Sequence, residues 1–261
     1  MKNKRNVVIK HLFSVWMLFY GILALVPMVM NIVWNLNDLT NLHNFAFHLF
    51  DISFKFIGTL TIIIISVGNQ RKFTYLIQNS ISRKTFWQAK SITLILVSLL
   101  IAVFNTLIYN LIQKPLGIIM VDNYDDFYGH LFVHAWQNQL LSVGLDFLDL
   151  LSLGAVVMML AVCFALCSRT VKIILVILVI SGPFSWGLLG INLMTSAIKQ
   201  ETLVASLRVL QNAYSFVFGY SPNVALGHYN PTMLFIILIL LSIISIGLSY
   251  FAFLRLQIRN T

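Results

Sequence analysis

The chain is poor in charge and poorest in acid: eight Asp and Glu in 261 residues, with 10% of positions charged against 59% apolar. A water-soluble domain carries about 25% charged residues, so that class is excluded. Cysteine is scarce as well. Cys163 and Cys167 lie one helical turn apart in an apolar run, where thiols pack as small hydrophobes, so neither a disulfide nor a cysteine metal site is expected. The Gly-x-x-x-x-Gly-Lys-Ser/Thr pattern that cradles nucleotide phosphates is missing, and so is His-Glu-x-x-His. No paired carboxylates sit in the middle of an apolar run, which removes an intramembrane aspartyl protease. The chain is therefore expected not to be an enzyme and to bind no cofactor or metal of its own.

Apolar runs are what the chain has in abundance. Six of them, at about 12–34, 50–68, 92–111, 140–167, 171–193 and 231–254, approach or exceed the ~20 residues that cross a hydrocarbon core. They predict an all-α fold, a single domain over 1–261 with six transmembrane helices. The first run follows a basic leader but has full crossing length and no small-residue cleavage site. It reads as a retained span kinked at Pro27, not as a signal peptide. Lys55, near the outer end of the second run, is expected to snorkel outward. Asp146 and Asp149 are expected in the first turns of the fourth span, where a helix dipole favours acids. Gly154, Ala161 and Ala165 would let that span approach a neighbour closely. Gly182 and Pro183 interrupt the fifth run and form a candidate hinge. In the outer segment Met194 to Asn230, Leu203, Leu207, Leu210, Tyr214 and Val217 line one face of an expected amphipathic helix. Asn230 should cap the last span and Pro231 open it.

A net charge of +9 would suggest nucleic acid in a soluble chain. Here the bases flank apolar runs, the pattern that orients spans against anionic lipid, so no nucleic-acid partner is expected. Lys2, Lys4, Arg5 and Lys10 stand in the leader, Arg71, Lys72, Arg83, Lys84 and Lys90 in the stretch 69–90, Arg169 and Lys172 in a tight turn, and Arg255 and Arg259 at the end. These are thirteen of the seventeen basic residues, and all eight acids fall on or near the opposite side. The asymmetry places both termini and residues 69–90 in the cytoplasm of a multi-pass plasma-membrane protein. His130 and His134, with Asp126 a turn earlier, have a spacing that could hold a metal on a helix. Tyr124, Phe127, Tyr128 and Trp136 around them mark an interfacial segment instead.

Residues 69–90 are too polar to cross and too long for a turn. Phe73, Leu76, Ile77 and Ile81 recur at helical spacing, with Tyr75, Gln78, Asn79 and Ser82 on other faces. This predicts a short amphipathic helix lying on the membrane surface. Ser82 would cap the next helix, Phe86 and Trp87 suit the headgroup layer, and Lys90 would snorkel back to it.

The run Ile81, Ser82, Arg83, Lys84, Thr85 and Phe86 resembles the start of the third span in permease subunits of ABC-2 type exporters. In that family this start follows a basic amphipathic coupling helix. Asn79 and Ser80 stand where many relatives have glycine. Six spans with both ends inside is also that family's topology, so the resemblance extends over nearly the whole chain. It implies an export subunit paired with a second permease, identical or related, and with two cytoplasmic ABC ATPase subunits that bind the ATP. Phe73, Leu76, Ile77 and Ile81 would then be packing contacts in the coupling. Arg71, Lys72, Arg83 and Lys84 would hold the helix at the lipid surface or reach acids of the ATPase. Ion-poor spans suit a hydrophobic or amphipathic cargo, and the resemblance points to an antimicrobial peptide. Two other classes stay open: a secondary carrier or channel, and a membrane scaffold or sensor using the central loop as a partner surface.

Overall fold

The structure is a computed structural model that describes residues 2–36, 41–67, 81–118, 128–168, 170–173, 211–220 and 229–255. The regular elements among the described residues are helices: α1 (Lys2–Trp34), α2 (Leu42–Phe50), α3 (Phe54–Val67), α4 (Arg83–Ile108), α5 (Ala135–Leu166) and α6 (Thr232–Arg255). A π-helical turn, Tyr109–Gln113, prolongs α4, and residues 211–218 are helical too. Five stretches are long and apolar enough to cross a membrane, α2 and α3 together making one of them. The fifth run of the sequence, with Gly182 and Pro183, lies outside the described residues beyond 173. So do Arg71, Lys72, Phe73, Leu76 and Ile77.

The bundle is apolar outside and partly polar inside. Leu18, Ile22, Val29, Ile64, Leu107, Ile243 and Phe251 are exposed, whereas Thr61, Ser66, Thr93, Ser98, Asn105, Ser152, Ser242, Ser245 and Ser249 are buried. Water would oppose this arrangement and hydrocarbon accepts it. Several of the interior hydroxyls are satisfied within their own helices: Thr61 donates to the Ile57 carbonyl, Thr93 to Ala89 and Ser242 to Leu238, each at 2.8 Å. Small side chains let the helices close up. A Cβ on Gly154 of α5 would lie 2.6 Å from Leu94 Cδ1 and 2.8 Å from Ile62 Cγ2. That bears out the expectation for Gly154; Ala161 and Ala165 are half-buried.

Boundaries differ from the sequence reading in instructive ways. Helix α1 begins at Lys2, ten residues before the apolar run, because Val8, Leu12, Trp16, Tyr20 and Ala24 form one buried face at four-residue spacing. It continues unbroken through Pro27. Helix α4 begins at Arg83 instead of Ile92, with Ser82 as the expected N-cap, its Oγ accepting from Thr85 N–H at 3.1 Å. Helix α5 starts at Ala135, so Asp146 and Asp149 lie about three turns inside it. The dipole explanation for these acids therefore fails. A short helix precedes the second run: α2 ends at Phe50, where the run begins, and Asp51, Ile52 and Ser53 form a turn before α3. His130 lies in a turn and His134 is the N-cap position of α5, so they do not share a helical face. Asn230 caps as expected, its Oδ1 accepting from Thr232 N–H at 3.0 Å.

Helices α5 and α6 run in the same direction. At one end Leu145 packs with Leu234 and Leu238, and at the other Met158 and Val162 pack with Ala252 and Phe253. The chain between them thus leaves at one end of the bundle and re-enters at the other.

Candidate functional site

The end of the bundle where α3 finishes, α4 starts and α6 finishes carries the residues singled out by sequence. Ile81, just before the Ser82 cap, packs against both the main core and a smaller cluster of Phe86, Met158, Val162, Ala252 and Phe253. The first turns of α4 are fastened to the last turns of α6 by four side chains. Arg83 Nη1 donates to the Leu254 carbonyl at 2.9 Å, satisfying one of the orphan carbonyls of a helix end. Phe86 meets Phe253 edge to face with centroids 5.9 Å apart. Trp87 lies 4.8 Å from Tyr250, and its indole N–H donates to Ser249 Oγ at 3.0 Å.

Lys90 is the fourth. It is 2% exposed, its Nζ donates to the Ser66 carbonyl of α3 at 2.9 Å, and it stands 5.7 Å above the Phe253 ring. The expectation that it snorkels to the surface is therefore overturned. The ammonium has three donors, and no carboxylate faces it among the described residues. Lys90 joins α3, α4 and α6 at one atom. A signal for this existed: once α4 is capped at Ser82, Lys90 falls on the stripe of Phe86, Leu94 and Val97, all buried.

Of the sequence-chosen residues at this end, Arg83 is half-buried and engaged with α6, while Lys84 is exposed. Phe86 and Trp87 pack inside the bundle as well as near its rim. The cluster brackets residues 68–80, holding Ile81 on one side and Ser66 on the other.

A second polar group lies at the opposite end. Lys55 of α3 meets Asp146 of α5 at 3.2 Å, their side chains 22% and 8% exposed. Lys55 thus pairs across the bundle instead of snorkelling alone. Deeper in, Tyr20 of α1 donates its hydroxyl to Asn105 Oδ1 of α4 at 3.1 Å. Beyond the start of α5, Tyr128 donates to the Phe218 carbonyl at 3.0 Å. Burial, and secondarily the neighbouring Tyr214, push its phenol up to about 12, so it remains a donor at any ordinary pH.

Together these features define a helical bundle built for an apolar surrounding, knotted by polar side chains at both ends. No family model, curated protein or solved structure matches the chain.

Proposed function

We propose that this chain is the membrane-spanning permease subunit of an ATP-driven exporter of the ABC-2 type, set in the plasma membrane with both termini and residues 68–80 in the cytoplasm. The observation that carries this reading is the fastened end around Lys90. A lever moves only what it is attached to, and the start of α4 is bonded to the ends of α3 and α6. A push on residues 68–80 would therefore reach three helices at once. The parallel course of α5 and α6 supports six spans, since the apolar run 171–193 would supply the crossing between them.

In this reading two cytoplasmic ABC ATPase subunits bind ATP, and a second permease, identical or related, completes the path. Phe73, Leu76, Ile77 and Ile81 are the packing contacts of the coupling helix. Arg71, Lys72 and Lys84 face lipid phosphates or ATPase acids, and Arg83 ties the lever to α6. The Gly182 and Pro183 hinge belongs to the same proposal. With one ion pair among the described residues, the bundle suits a hydrophobic or amphipathic cargo such as an antimicrobial peptide.

Co-purification tests this. An ATPase should come down with the chain, and Leu76→Asp or Ile77→Asp should leave it bound and hydrolysing ATP while export falls at least tenfold, about 1.4 kcal/mol of coupling. Normal export by both variants, with the ATPase still bound, would falsify the coupling assignment. A secondary carrier is the second reading, favoured by the broken helix beside the Lys55–Asp146 pair. It predicts transport driven by an ion gradient with no ATPase attached.

A further inference from the structure

Asp146 ends a polar lane. On the buried face of α5, Asn138, Ser142 and Asp146 follow one another at four-residue spacing, and the next two positions of that stripe are Leu150 and Gly154. Asn138 closes on the turn before the helix, accepting from the Phe132 N–H at 2.9 Å and donating to the Phe132 carbonyl at 3.0 Å. Beyond Asp146 the packing is tight and apolar, since a Cβ on Gly154 would meet Leu94 and Ile62. The dipole does not account for a carboxylate about three turns inside α5. Stability does not account for it either, because a buried ion pair adds little over a well-packed apolar pair of the same size. An ionisable group at such a place in an apolar bundle points to function.

The group seated on the carboxylate is an ammonium, Lys55 Nζ at 3.2 Å from Oδ1. The backbone that carries it is fixed. Phe54 and Ile57, on either side of Lys55, are buried in the main core, and a Cβ on Gly58 would lie 2.7 Å from Ile101 Cγ2. The turn before it is bonded from two helices: Asn31 Nδ2 donates to the carbonyls of His48 and Asp51 at 2.7 and 3.3 Å, and Gln113 Nε2 to those of Phe50 and Ile52 at 2.8 and 2.9 Å. The side chain is freer than its backbone. It is 22% exposed against 8% for Asp146, and it holds its charge at the tip of a flexible four-carbon stem. Rotation of that stem toward its exposed side uncovers the carboxylate while every helix stays in place.

We propose that Asp146 is a binding site for the primary ammonium group of an amphipathic cargo and that Lys55 is a tethered stand-in, held on the carboxylate until the cargo's ammonium exchanges with it. The exchange keeps the carboxylate paired throughout, so no uncompensated charge is left in the bundle. It also selects for chemistry. A neutral alcohol brings no charge, and a quaternary ammonium lacks the N–H donors that Lys55 presents to the carboxylate. That the ligand is cargo leaving at this end rests on the permease reading; the binding of an ammonium at Asp146 does not.

The test uses the full chain in nanodiscs of phosphatidylcholine and phosphatidylglycerol, lipids without a primary amine, titrated calorimetrically with n-hexylamine and corrected with empty nanodiscs. The native chain should bind hexylamine saturably, and hexanol and hexyltrimethylammonium about tenfold more weakly or worse. Asp146→Asn should weaken hexylamine binding about tenfold or more. Lys55→Ser should strengthen it about tenfold, because the internal competitor is gone, while Lys55→Arg should bring no gain. Opposite signs at the two positions separate a binding site from a structural tie, in which both substitutions would act alike. In thermal unfolding, n-butylamine, which is the lysine side chain without its backbone, should restore Lys55→Ser toward the native midpoint, and n-butanol should not. Equal hexylamine binding by the native chain and Asp146→Asn, or no gain in Lys55→Ser, overturns the site. Should Asp146→Asn not accumulate, the gain in Lys55→Ser and its rescue by butylamine decide the matter. Failure to find an ATPase would remove the permease reading and leave these affinities as they are.

Discussion

Replacing Lys90 by Glu is expected to lower the stability of the bundle by roughly 3–5 kcal/mol, whereas replacing it by Met should change it by less than about 1 kcal/mol. The two substitutions separate charge from volume. Lys90 is 2% exposed and sits between the Ser66 carbonyl and the Phe253 ring, both electron-rich. A carboxylate there would face a carbonyl oxygen and the negative face of an aromatic ring, repelled by each and far from water. Methionine keeps the length and flexibility of the lysine stem and needs no hydrogen bond, so the gain from removing a buried charge offsets the lost contacts. Thermal unfolding in detergent resolves the difference. A glutamate variant as stable as the native chain would mean that position 90 reaches solvent, and the three-helix junction would have to be abandoned.

The second large effect is expected at Gly219. Its φ is +66°, a region that costs an ordinary residue about 1 kcal/mol, and the three atoms nearest an added Cβ all belong to the Asn230 backbone, led by its carbonyl oxygen. That backbone cannot yield cheaply. Asn230 Oδ1 accepts from both the N–H and the hydroxyl of Thr232, at 3.0 and 2.6 Å, and so fixes the start of α6. The neighbouring Tyr128, Tyr229 and Phe218 would be displaced with it. Gly219→Ala is expected to cost roughly 3 kcal/mol or more. The opposite sign is expected at Gly21 and Gly247, which lie within helices and have nothing within 4 Å of an added Cβ. Alanine at either should be neutral or stabilise by about 0.5–1 kcal/mol. The three variants measured side by side tell backbone obstruction from a general sensitivity to glycine replacement.

Much of the helical layout could be read from the chain because it depends on short-range pattern. Five of the six apolar runs correspond to helical stretches long and apolar enough to cross a membrane, and the Ser82 and Asn230 caps follow from side chains that bond to backbone two or three residues away. What eluded the pattern was the placement of charge. Lys90 looked like a residue before a span because the apolar run begins at Ile92, yet the helix begins at Arg83 and carries the lysine into the bundle. Lys55 and Asp146 are ninety-one positions apart, and neither shows in sequence that it faces the other. The break at Asp51–Ser53 likewise depends on Asn31 and Gln113, donors that only folding brings near. Amphipathic period reports which residues prefer burial, while pairing of buried polar groups is settled by helix contacts.

The role proposed for residues 68–80 stands on their facing the cytosol, where an ATPase could push them. Asn79→Cys, in a chain freed of Cys163 and Cys167, measures this most directly with an impermeant thiol reagent applied to intact cells and then to inside-out vesicles. Protection in cells and rapid labelling in inverted vesicles is the expected result. Rapid labelling from outside intact cells would put the loop on the wrong face and contradict the proposal that it drives the bundle.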